Sequence, residues 1–475
     1  MAGILSYGAY VPYYRLSREA IAASLGTPAG SGARAVASAD EDTTTMGVEA
    51  GRVALRGLGE GVSPRSVYFA TADPAYLDKT NAAAIHGALG LPADCAAYDL
   101  MGSVRSGVGA LRAALDASEP TLAILSDLRN GLAGGADERD GGDAAAAVVC
   151  GPGSTRTPVL AELITTASAT AEFMDRWRVP GARSSAVWEE RFGAHAYAPL
   201  AEQVVSDALK AADGTPDGVD HLIVTGTQSR AVGATVKGLV KSGARPESVV
   251  DDLSSTVGNA GTAQAGLLLA SVLDTAEPGA LIALVVLADG ADALVFRTTD
   301  ALVEHRSAPS VAEQIASGRD DLDYPTYLTW REALVREGPR RPDPVSPAGP
   351  PALRSEDWKF GFMGSRCTEC GTRNLPPSRV CVRCRAVDHM EPEPLADVPA
   401  TVATFTLDRL APSLNPPVVA AVLDFDGGGR YQGELTDVDA AHVAIGDRVE
   451  MTFRRISSVD GVHNYFWKAR PKREG

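Results

Sequence analysis

Residues 96–115, AAYDLMGSVRSGVGALRAAL, run from an apolar strand through a turn of small residues into a helix rich in Ala and Leu. Residues 249–270, VVDDLSSTVGNAGTAQAGLLLA, repeat that order. Each stretch follows a strand and a helix, and each precedes two apolar strands, the second returning beside the first. This repetition predicts a duplicated α/β body of two similar halves, with a site near the interface between them.

The composition limits the class of protein. The chain has 475 residues, is 45% hydrophobic and 22% charged, and carries a net charge of −16. These values are typical of a globular protein of two or three domains, and the negative charge argues against general nucleic-acid binding. The sequence has no apolar run of membrane-spanning length and no secretory-signal pattern at its N-terminus. We therefore expect a cytoplasmic protein, which the arrangement of its cysteines also favours.

The character of the sequence changes after the predicted body, residues 1–300. Residues 301–357 contain a short amphipathic helix (320–338) and a Pro-rich stretch that predicts an extended linker. Residues 358–392 contain all the paired cysteines and are predicted to form a zinc ribbon. Residues 393–475 contain five short β segments separated by Gly and Asp turns, which predict a small barrel of the OB type.

The paired cysteines are the most specific local signal. Two C-x-x-C pairs, Cys367 with Cys370 and Cys381 with Cys384, can direct four thiolates at one point. Zinc accepts four thiolates as a closed tetrahedral shell, so the metal is predicted to be structural. Its binding is then expected to supply much of the folding free energy of this small segment. A redox iron centre in the same shell is the alternative.

Three stretches of the first half resemble hydroxymethylglutaryl-CoA synthase, a branch of the thiolase superfamily. They are GAYVPYYRLSREAI (8–21), DEDTTTMGVEAGRVAL (40–55) and TADPAYLDKTNAAAIHGALG (71–90). The resemblance covers about residues 1–300 and implies the five-layer αβαβα thiolase fold and a CoA thioester as substrate. The tail from Trp358 resembles the zinc-ribbon/OB-fold proteins that accompany thiolase-like enzymes.

The resemblance also implies catalytic positions. In the family a cysteine at the turn into the first central helix is acylated, and this position is Val104 here. A histidine and an asparagine hold the second thioester carbonyl. The histidine falls at Gly226 or Thr227 and is absent, whereas Asn259 matches the asparagine. Asp73 is the carboxylate nearest to the family's acid/base glutamate.

Further candidates lie around these positions. Ser103 adjoins the turn and could replace the missing nucleophile, although no G-x-S-x-G pattern surrounds it. Tyr76 could donate a proton to a carbonyl oxygen, with aromatic packing as the alternative. Arg105, Arg230 and Lys237 could bind CoA phosphates, with a salt bridge or a solvated helix face as the alternative. The remaining cysteines, Cys95 and Cys150, are expected in the core, away from the turn.

Three functions remain open at this point. The first is an enzyme that makes or breaks a carbon–carbon bond of a CoA thioester by aldol or Claisen chemistry without a cysteinyl acyl-enzyme. The second is a synthase-like acyltransferase whose nucleophile lies elsewhere. The third is a non-catalytic scaffold that binds acyl-CoA for a partner thiolase. The family resemblance implies a homodimer, and a thiolase-like partner is a further expectation.

Overall fold

The computed structural model describes residues 2–59, 61–337, 345–411 and 413–473. The strands of the body are β1 (Ala2–Tyr10), β2 (Tyr14–Ser17), β3 (Ala33–Val36), β4 (Ser66–Thr71), β5 (Ala96–Met101), β6 (Thr121–Asp127), β7 (Ala144–Pro152), β8 (Ala161–Thr170), β9 (Arg176–Trp177), β10 (Ala186–Val187), β11 (His221–Gly226), β12 (Leu281–Leu287) and β13 (Gly290–Thr298). Those that follow are β14 (Met363–Cys367), β15 (Arg373–Asn374), β16 (Met390–Pro394), β17 (Ala400–Asp408), β18 (Val418–Phe425), β19 (Arg430–Leu435), β20 (Arg448–Val459) and β21 (Val462–Pro471).

The α-helices alternate with these strands through the body and become short after it. They are α1 (Arg18–Leu25), α2 (Thr43–Arg56), α3 (Ala82–Ala88), α4 (Arg105–Leu115), α5 (Ala136–Asp140), α6 (Glu190–Ala211), α7 (Ser229–Lys241), α8 (Gln264–Leu273), α9 (Val311–Ala316), α10 (Tyr324–Trp330), α11 (Gly349–Arg354) and α12 (Glu356–Lys359). No helix among the described residues is long and apolar enough to cross a membrane.

A nine-stranded sheet runs through the body in the order β11-β12-β13-β8-β1-β7-β6-β4-β5. In the first half β4 is parallel to β5 and β6, and β6 is antiparallel to β7. In the second half β11 is parallel to β12, which is antiparallel to β13. The halves meet where Gly3 and Ile4 of β1 pair with β8. Because the strand order is mirrored about this pair, the predicted duplication is confirmed.

The body has the five predicted layers. The two halves of the sheet form two of them, and helices form the other three. The central helix α4 packs against β4, β6 and β7 of the first half, and α8 packs against β7 and also against β11 of the second. Helices α2 and α3 cover the outer face of the first half, and α6 and α7 cover that of the second. Since α8 lies between two sheet layers, almost all of its residues are buried, which explains its continuous apolar sequence.

The two halves also approach each other closely at a glycine. The Gly142 amide donates to the carbonyl oxygen of Asn259 (3.0 Å), and the Asn259 amide donates to that of Asp140 (2.8 Å). A Cβ on Gly142 would lie 2.0 Å from the carbonyl oxygen of Val257. The loop before β7 and the turn before α8 can therefore meet only if residue 142 has no side chain.

We expect Gly142→Ala to lower the free energy of unfolding by about 3 kcal/mol, because the obstacle is backbone and cannot rotate away. Urea denaturation followed by circular dichroism measures this change. The matched control is Gly233→Ala in α7, where an added Cβ meets nothing within 4 Å. That substitution should stabilise the protein by about 0.5–1 kcal/mol through helix propensity. Equal effects at both positions would contradict the close approach of the halves.

The structure of the segment between body and ribbon agrees only in part with the prediction made from the sequence. Helix α10 lies within the predicted amphipathic helix, but the predicted extended linker is wrong at Gly349–Arg354, which form α11. Prolines occupy the first positions of α11, where a missing amide hydrogen costs no hydrogen bond and a fixed φ suits a helix. Residues 338–344 of the Pro-rich stretch lie outside the described residues.

The remainder of the chain forms the predicted ribbon and barrel. Strands β14, β15 and β16 make a small sheet in the order β15-β14-β16. Strands β17 to β21 close into a five-stranded barrel in the order β17-β18-β19-β21-β20, which confirms the OB-type prediction. The barrel core contains Phe453 and Trp467, both almost fully buried.

The barrel docks on helix α2 of the body. Met46 of α2 belongs to the same continuous apolar cluster as Phe453 and Trp467 of the barrel. The guanidinium of Arg52 lies over the Trp467 ring (5.0 Å to its centroid) and donates to the carbonyl oxygen of Met451 (2.8 Å). The barrel and the body therefore share one core, and the barrel is not a loosely tethered module.

Buried charges reinforce this interface. Arg454 of β20 pairs with Glu41 of the body and donates to Asp437 Oδ2 of the barrel (2.6 Å). Arg470 of β21 pairs with Glu49 of α2 (3.0 Å). Burial raises the pKa of Glu49, but the guanidiniums of Arg52 and Arg470 outweigh it and bring that pKa down to about 2. Glu49 is thus ionised at neutral pH and attached to a cation across the interface.

Candidate active site

The turn from β5 into α4 is where the family resemblance places an acylated cysteine. Strand β5 ends at Met101, Gly102 follows with φ of 111°, and α4 begins after Val104 as its N-cap residue. The Gly102 amide donates to the carbonyl oxygen of Thr71 at the end of β4 (3.1 Å). The turn thus has the small-residue geometry expected of a nucleophile position. The side chain at that position, however, is the unreactive isopropyl group of Val104.

The sequence offers Ser103, Cys95 and Cys150 as other nucleophiles in this half of the body. Ser103, which precedes Val104, is half-buried. Cys95 lies one residue before β5, and burial raises the pKa of its thiol. Cys150 lies inside β7, fully buried, and burial raises the pKa of its thiol well above the usual range. Both are core thiols, as predicted, and neither is a reactive thiolate.

Beside the turn the structure gathers a cluster of charged and polar groups, which we call the carboxylate cluster. It consists of five side chains from three segments: Asp73, Asp127, Arg129, Asn130 and Arg178. Asp73 follows β4, the next three residues end or follow β6, and Arg178 belongs to the loop after β9. Parallel strands β4 and β6 end at the same edge of the sheet, which brings their terminal side chains together.

Asp73 is the outer carboxylate of this cluster. Its Oδ1 accepts from Arg178 Nη1 (3.1 Å), and its Oδ2 lies 3.5 Å from Asn130 Nδ2. Its side chain remains 32% exposed. Burial raises the pKa of Asp73, and the charge of Arg178 opposes that rise. Asp73 therefore lies in the region that the resemblance assigns to an acid/base group, with a fixed cation beside it.

Asp127 is the inner carboxylate and is fully buried. Its Oδ2 accepts from the backbone amide of Thr262 (3.0 Å) and lies 3.6 Å from Arg129 Nη1. Its Oδ1 has no hydrogen-bond partner in the described structure. Burial raises the pKa of Asp127, and the nearby charge of Arg129 only partly opposes it.

Asn259 lies close to the Asp127 carboxylate. Its Nδ2 donates to the carbonyl oxygen of Gly226 (2.9 Å), and its Oδ1 accepts from the amide of Gly261 (3.0 Å). Gly261 has φ of 53°, and a Cβ there would lie 2.3 Å from Asp127 Oδ2. Asn259 is thus held against Gly226, one of the two positions at which the family histidine is missing. Gly261, which its Oδ1 accepts from, contacts Asp127.

Tyr76 follows Asp73 by only three residues, but its side chain contacts the barrel. Its hydroxyl accepts from the backbone amide of His463 in the barrel (2.7 Å), and the two rings lie 4.9 Å apart. It lines a cavity of about 530 Å³ between body, linker helices and barrel, together with Lys359 and Tyr465. The structure thus places Tyr76 at the domain interface and outside the carboxylate cluster.

The candidate phosphate-binding residues are also dispersed. Arg105 donates to Asp292 (3.0 Å) and to the carbonyl oxygen of Asp289 (2.6 Å), so it joins α4 to the second half. Arg230 and Lys237 lie exposed on α7. The described structure brings neither of them into the carboxylate cluster. Their role toward CoA stays a prediction.

The four paired cysteines converge in the ribbon as predicted. Their Sγ atoms all lie within 4.8 Å of one another. Cys367 and Cys384 are 3.6 Å apart, as are Cys370 and Cys381. A tetrahedral zinc ion with Zn–S bonds of about 2.3 Å requires sulfurs about 3.8 Å apart, so the donor set fits zinc. All four ligands come from the protein, which suits a structural ion with no open position.

Four members of the carboxylate cluster were missed by sequence reasoning: Asp127, Arg129, Asn130 and Arg178. The first three stand together in SDLRN, directly after the apolar segment of β6. Polar residues that follow a buried parallel strand are a recognisable signal for a site at the sheet edge. Arg178 carries no comparable signal, because only the path of the chain after β8 brings it to Asp73.

The similarity of this chain to known proteins falls into two parts. Residues 361–388 match the family described as the rubredoxin-like zinc ribbon domain of ChsH2, and residues 393–454 match the C-terminal OB-fold domain of ChsH2. The body is similar to a hydroxymethylglutaryl-CoA synthase of Aeropyrum pernix, with 31% identity over 350 residues, 70% of this chain and 95% of that protein. A second such synthase, from Picrophilus torridus, is 28% identical over 355 residues, 70% of this chain and 98% of that protein.

Solved structures show the same fold. PksG, an HMG-CoA synthase from Bacillus subtilis, superposes with a TM-score of 0.59 at 19% identity, covering 70% of this chain and 88% of its own. The 3-oxoacyl-[acyl-carrier-protein] synthase III of Aquifex aeolicus superposes with a TM-score of 0.52 at 19% identity, covering 62% of this chain and all of its own. The 31% identity across nearly a whole synthase identifies this chain as a member of the hydroxymethylglutaryl-CoA synthase family, with the thiolase fold and a ChsH2-type zinc ribbon and OB-fold domain attached.

Proposed function

We propose that this protein makes or breaks a carbon–carbon bond of a CoA thioester by aldol-type chemistry, without forming a cysteinyl acyl-enzyme. One observation carries the proposal. The family resemblance assigns the nucleophile position to Val104, the N-cap of α4, and a pair of carboxyl groups, Asp73 and the buried Asp127, lies beside the same turn. Aldol chemistry needs proton transfer and stabilisation of an enolate, and it needs no nucleophile on the protein.

CoA thioesters are the substrate class that the relatives suggest. Two structures with similar folds are described as HMG-CoA synthase complexed with CoA and as MvaS in complex with 3-hydroxy-3-methylglutaryl coenzyme A. A member of the same family that lacks the acylated residue can retain thioester binding while the covalent half-reaction is lost. This protein would then act on the thioester directly.

Asn259 supports the same reaction. An amide nitrogen carries two hydrogens, and one of those on Asn259 is donated to the Gly226 carbonyl. The second can reach a thioester oxygen, where negative charge develops as the enolate forms. The N-terminus of α4 adds backbone amides with a positive partial charge to the same region. These donors would stabilise the enolate in either direction of the reaction.

The proposed function is tested with the purified full chain and a panel of 3-hydroxyacyl-CoA thioesters, including 3-hydroxy-3-methylglutaryl-CoA. The products are separated by liquid chromatography and identified by mass spectrometry. We expect release of a shorter acyl-CoA together with a carbonyl compound, or the reverse condensation when both products are supplied. Binding of CoA without turnover of any member of the panel would instead favour a scaffold for a partner thiolase.

We also propose a homodimer formed through strand β5. This strand ends the nine-stranded sheet and pairs only with β4 in the described structure, and Tyr98 on it is 54% exposed. An unpaired strand edge with an exposed aromatic side chain suits pairing with a second copy. Light scattering should give twice the mass of one chain, and the mass of one chain would contradict the proposal. A thiolase-like partner is proposed on the resemblance alone, and a cytoplasmic location on the arrangement of the cysteines.

A further inference from the structure

We propose that this protein captures an aldehyde or ketone as an imine on the side-chain amine of Lys359. The site is the cavity of about 530 Å³ between body, linker helices and barrel, which we call the junction cavity. The inference goes beyond the proposed function, because imine formation at Lys359 requires neither a thioester nor the carboxylate cluster.

The junction cavity has the size and the lining of a small-molecule site. Such sites are typically clefts of about 300–1,000 Å³ with a mostly apolar lining and a few polar groups. Ring and aliphatic side chains line much of this cavity, among them Tyr76, Pro347, Ala352, Phe360, Val462 and Tyr465. Thr44 and Tyr465 are buried, whereas Asp78 and Lys79 are exposed. The cavity therefore reaches from solvent into the junction between body and barrel.

Lys359 brings an amine to this cavity without a counter-charge. Its Nζ donates to the side-chain oxygen of Asn464 and to the carbonyl oxygen of Tyr465 (2.9 Å), and both acceptors are neutral. The Phe360 ring, with its centroid 5.7 Å from Nζ, adds a weak attraction for the charged form. Lys359 forms no ion pair with a carboxylate among the described residues, and burial lowers its pKa. A desolvated lysine in an apolar cavity is an activated nucleophile toward carbonyl carbons.

Lys468 shows what a buried lysine needs in order to stay charged. It lies on β21, and its Nζ pairs with Asp40 (3.0 Å) and with Glu434 (2.9 Å). Burial lowers the pKa of Lys468, but the two carboxylates outweigh it and raise that pKa above its usual value. Lys359 has no such partners in the described structure. Of these two lysines it is the one that can supply a neutral amine.

Tyr76 supplies the proton that the addition needs. Its hydroxyl accepts from the backbone amide of His463 (2.7 Å), and its own hydrogen meets no acceptor among the described residues. Lys359 is held by the carbonyl oxygen of Tyr465, two residues further along β21. Two residues of a strand rise by about 7 Å, and their backbone groups point to the same edge. The amine and the phenol are thus held along one strand edge, and both line the junction cavity.

The proposed step is balanced as follows. The Lys359 amine attacks the carbonyl carbon, and the carbonyl oxygen takes the hydroxyl proton of Tyr76. The nitrogen returns a proton to Tyr76, which leaves a neutral carbinolamine. Its hydroxyl group then leaves as water with a proton from Tyr76, the C=N bond forms, and the nitrogen again returns a proton to Tyr76. In sum, one amine and one carbonyl compound give one imine and one water.

The captured class is one that the proposed reaction also handles. Aldol-type chemistry consumes or releases a carbonyl compound. Tyr76 follows Asp73 by three residues, so the junction cavity and the carboxylate cluster share the segment after β4. An imine on Lys359 would retain a carbonyl compound at one end of the segment whose other end carries Asp73.

The test incubates the full chain with butanone or cyclohexanone and sodium cyanoborohydride, without any thioester. Cyanoborohydride reduces an imine to a stable secondary amine, so the intact mass should rise by the mass of the ketone less one oxygen atom. The chain has seven lysines, and peptide mapping should place one adduct per chain on Lys359 and not on the exposed Lys79. Hydride addition changes no other part of this prediction, because it only fixes the bond already formed.

Three variants locate the chemistry. Lys359→Arg keeps a charged donor but cannot form an imine, and we expect it to abolish the labelling. Lys210→Arg, at the exposed end of α6, should leave the labelling unchanged. Tyr76→Phe keeps the ring beside His463 and removes the hydroxyl, and it should slow the labelling by about 100-fold, as expected when a positioned proton donor is lost. Circular dichroism of each variant serves as the control for folding.

The outcomes separate this inference from the proposed function. An adduct spread evenly over the exposed lysines, or no adduct at all, would overturn the imine site. If Lys359→Arg does not fold, the position of the adduct in the unmodified protein decides: an adduct on Lys359 supports the site, and one elsewhere refutes it. An unchanged rate in Tyr76→Phe would contradict the role of Tyr76. Because no thioester is present, failure here leaves the proposed function standing, and failure of the thioester assay leaves the imine site standing.

Discussion

Replacement of Cys370 by alanine is expected to remove the metal from the protein and to unfold the ribbon around it. The purified protein should contain one zinc ion per chain, and the variant close to none. The ribbon has strands of only five, two and five residues, which cannot bury enough apolar surface to fold alone. Zinc binding in comparable small domains contributes about 10–16 kcal/mol, so its loss outweighs any other single change considered.

Elemental analysis gives the zinc content, and hydrogen exchange locates the unfolding. Amide protection should vanish between residues 363 and 394 and persist in the barrel strands, because the barrel has its own apolar core around Phe453. Cys95→Ala is the matched control, since Cys95 lies in the body and should leave the zinc content unchanged. Zinc retained at one ion per chain in Cys370→Ala would contradict the four-thiolate site, and bound iron would assign a redox centre instead.

The second large effect is expected for Arg454→Leu, at the interface between barrel and body. Arg454 is fully buried between Glu41 of the body and Asp437 of the barrel. Its removal leaves two buried carboxylates without their main cation, although Arg473 still lies 3.4 Å from Asp437. Breaking a buried ion pair from one side costs about 3–5 kcal/mol, and we expect a loss of that size in urea denaturation.

The control is a pair of the same chemical type on the surface of the same barrel. Arg430 forms a bidentate contact with Asp424 at 2.7 Å, but both side chains are largely exposed. Solvent screens such a pair, so Arg430→Leu should cost no more than about 1 kcal/mol. If both substitutions cost the same, the barrel does not depend on the buried charges for its attachment.

The parts of the fold that could be predicted depend on local or repeated patterns. The C-x-x-C pairs place four sulfurs near one point whatever the surrounding structure, so the ribbon follows from the spacing alone. The repeated turns at Gly102 and Gly258 identified two similar halves, because equal patterns fold into equal units. The division at residues 300, 357 and 392 stays a prediction, since the linker, ribbon and barrel pack against the body without a free boundary.

The parts that could not be predicted depend on contacts between distant segments. Asp127 Oδ2 is held by the Thr262 amide only because the turn at Thr262, in the other half, folds over the end of β6. The attachment of the barrel through Arg454 and Glu41 has no local signal in either segment. The extended linker was wrong at Gly349–Arg354 because Pro-rich sequence is compatible with a helix when the prolines stand in its first turn.

The central claim is that a member of this family works without an acylated residue. The most direct test is the intact mass of the purified protein after incubation with acetyl-CoA, propionyl-CoA and acetoacetyl-CoA. With CoA binding confirmed by calorimetry, we predict a mass unchanged by any of the three thioesters. An added acyl group would contradict the claim. Peptide mapping would then locate the nucleophile, with Ser103 as the first candidate, and would make the protein an acyltransferase.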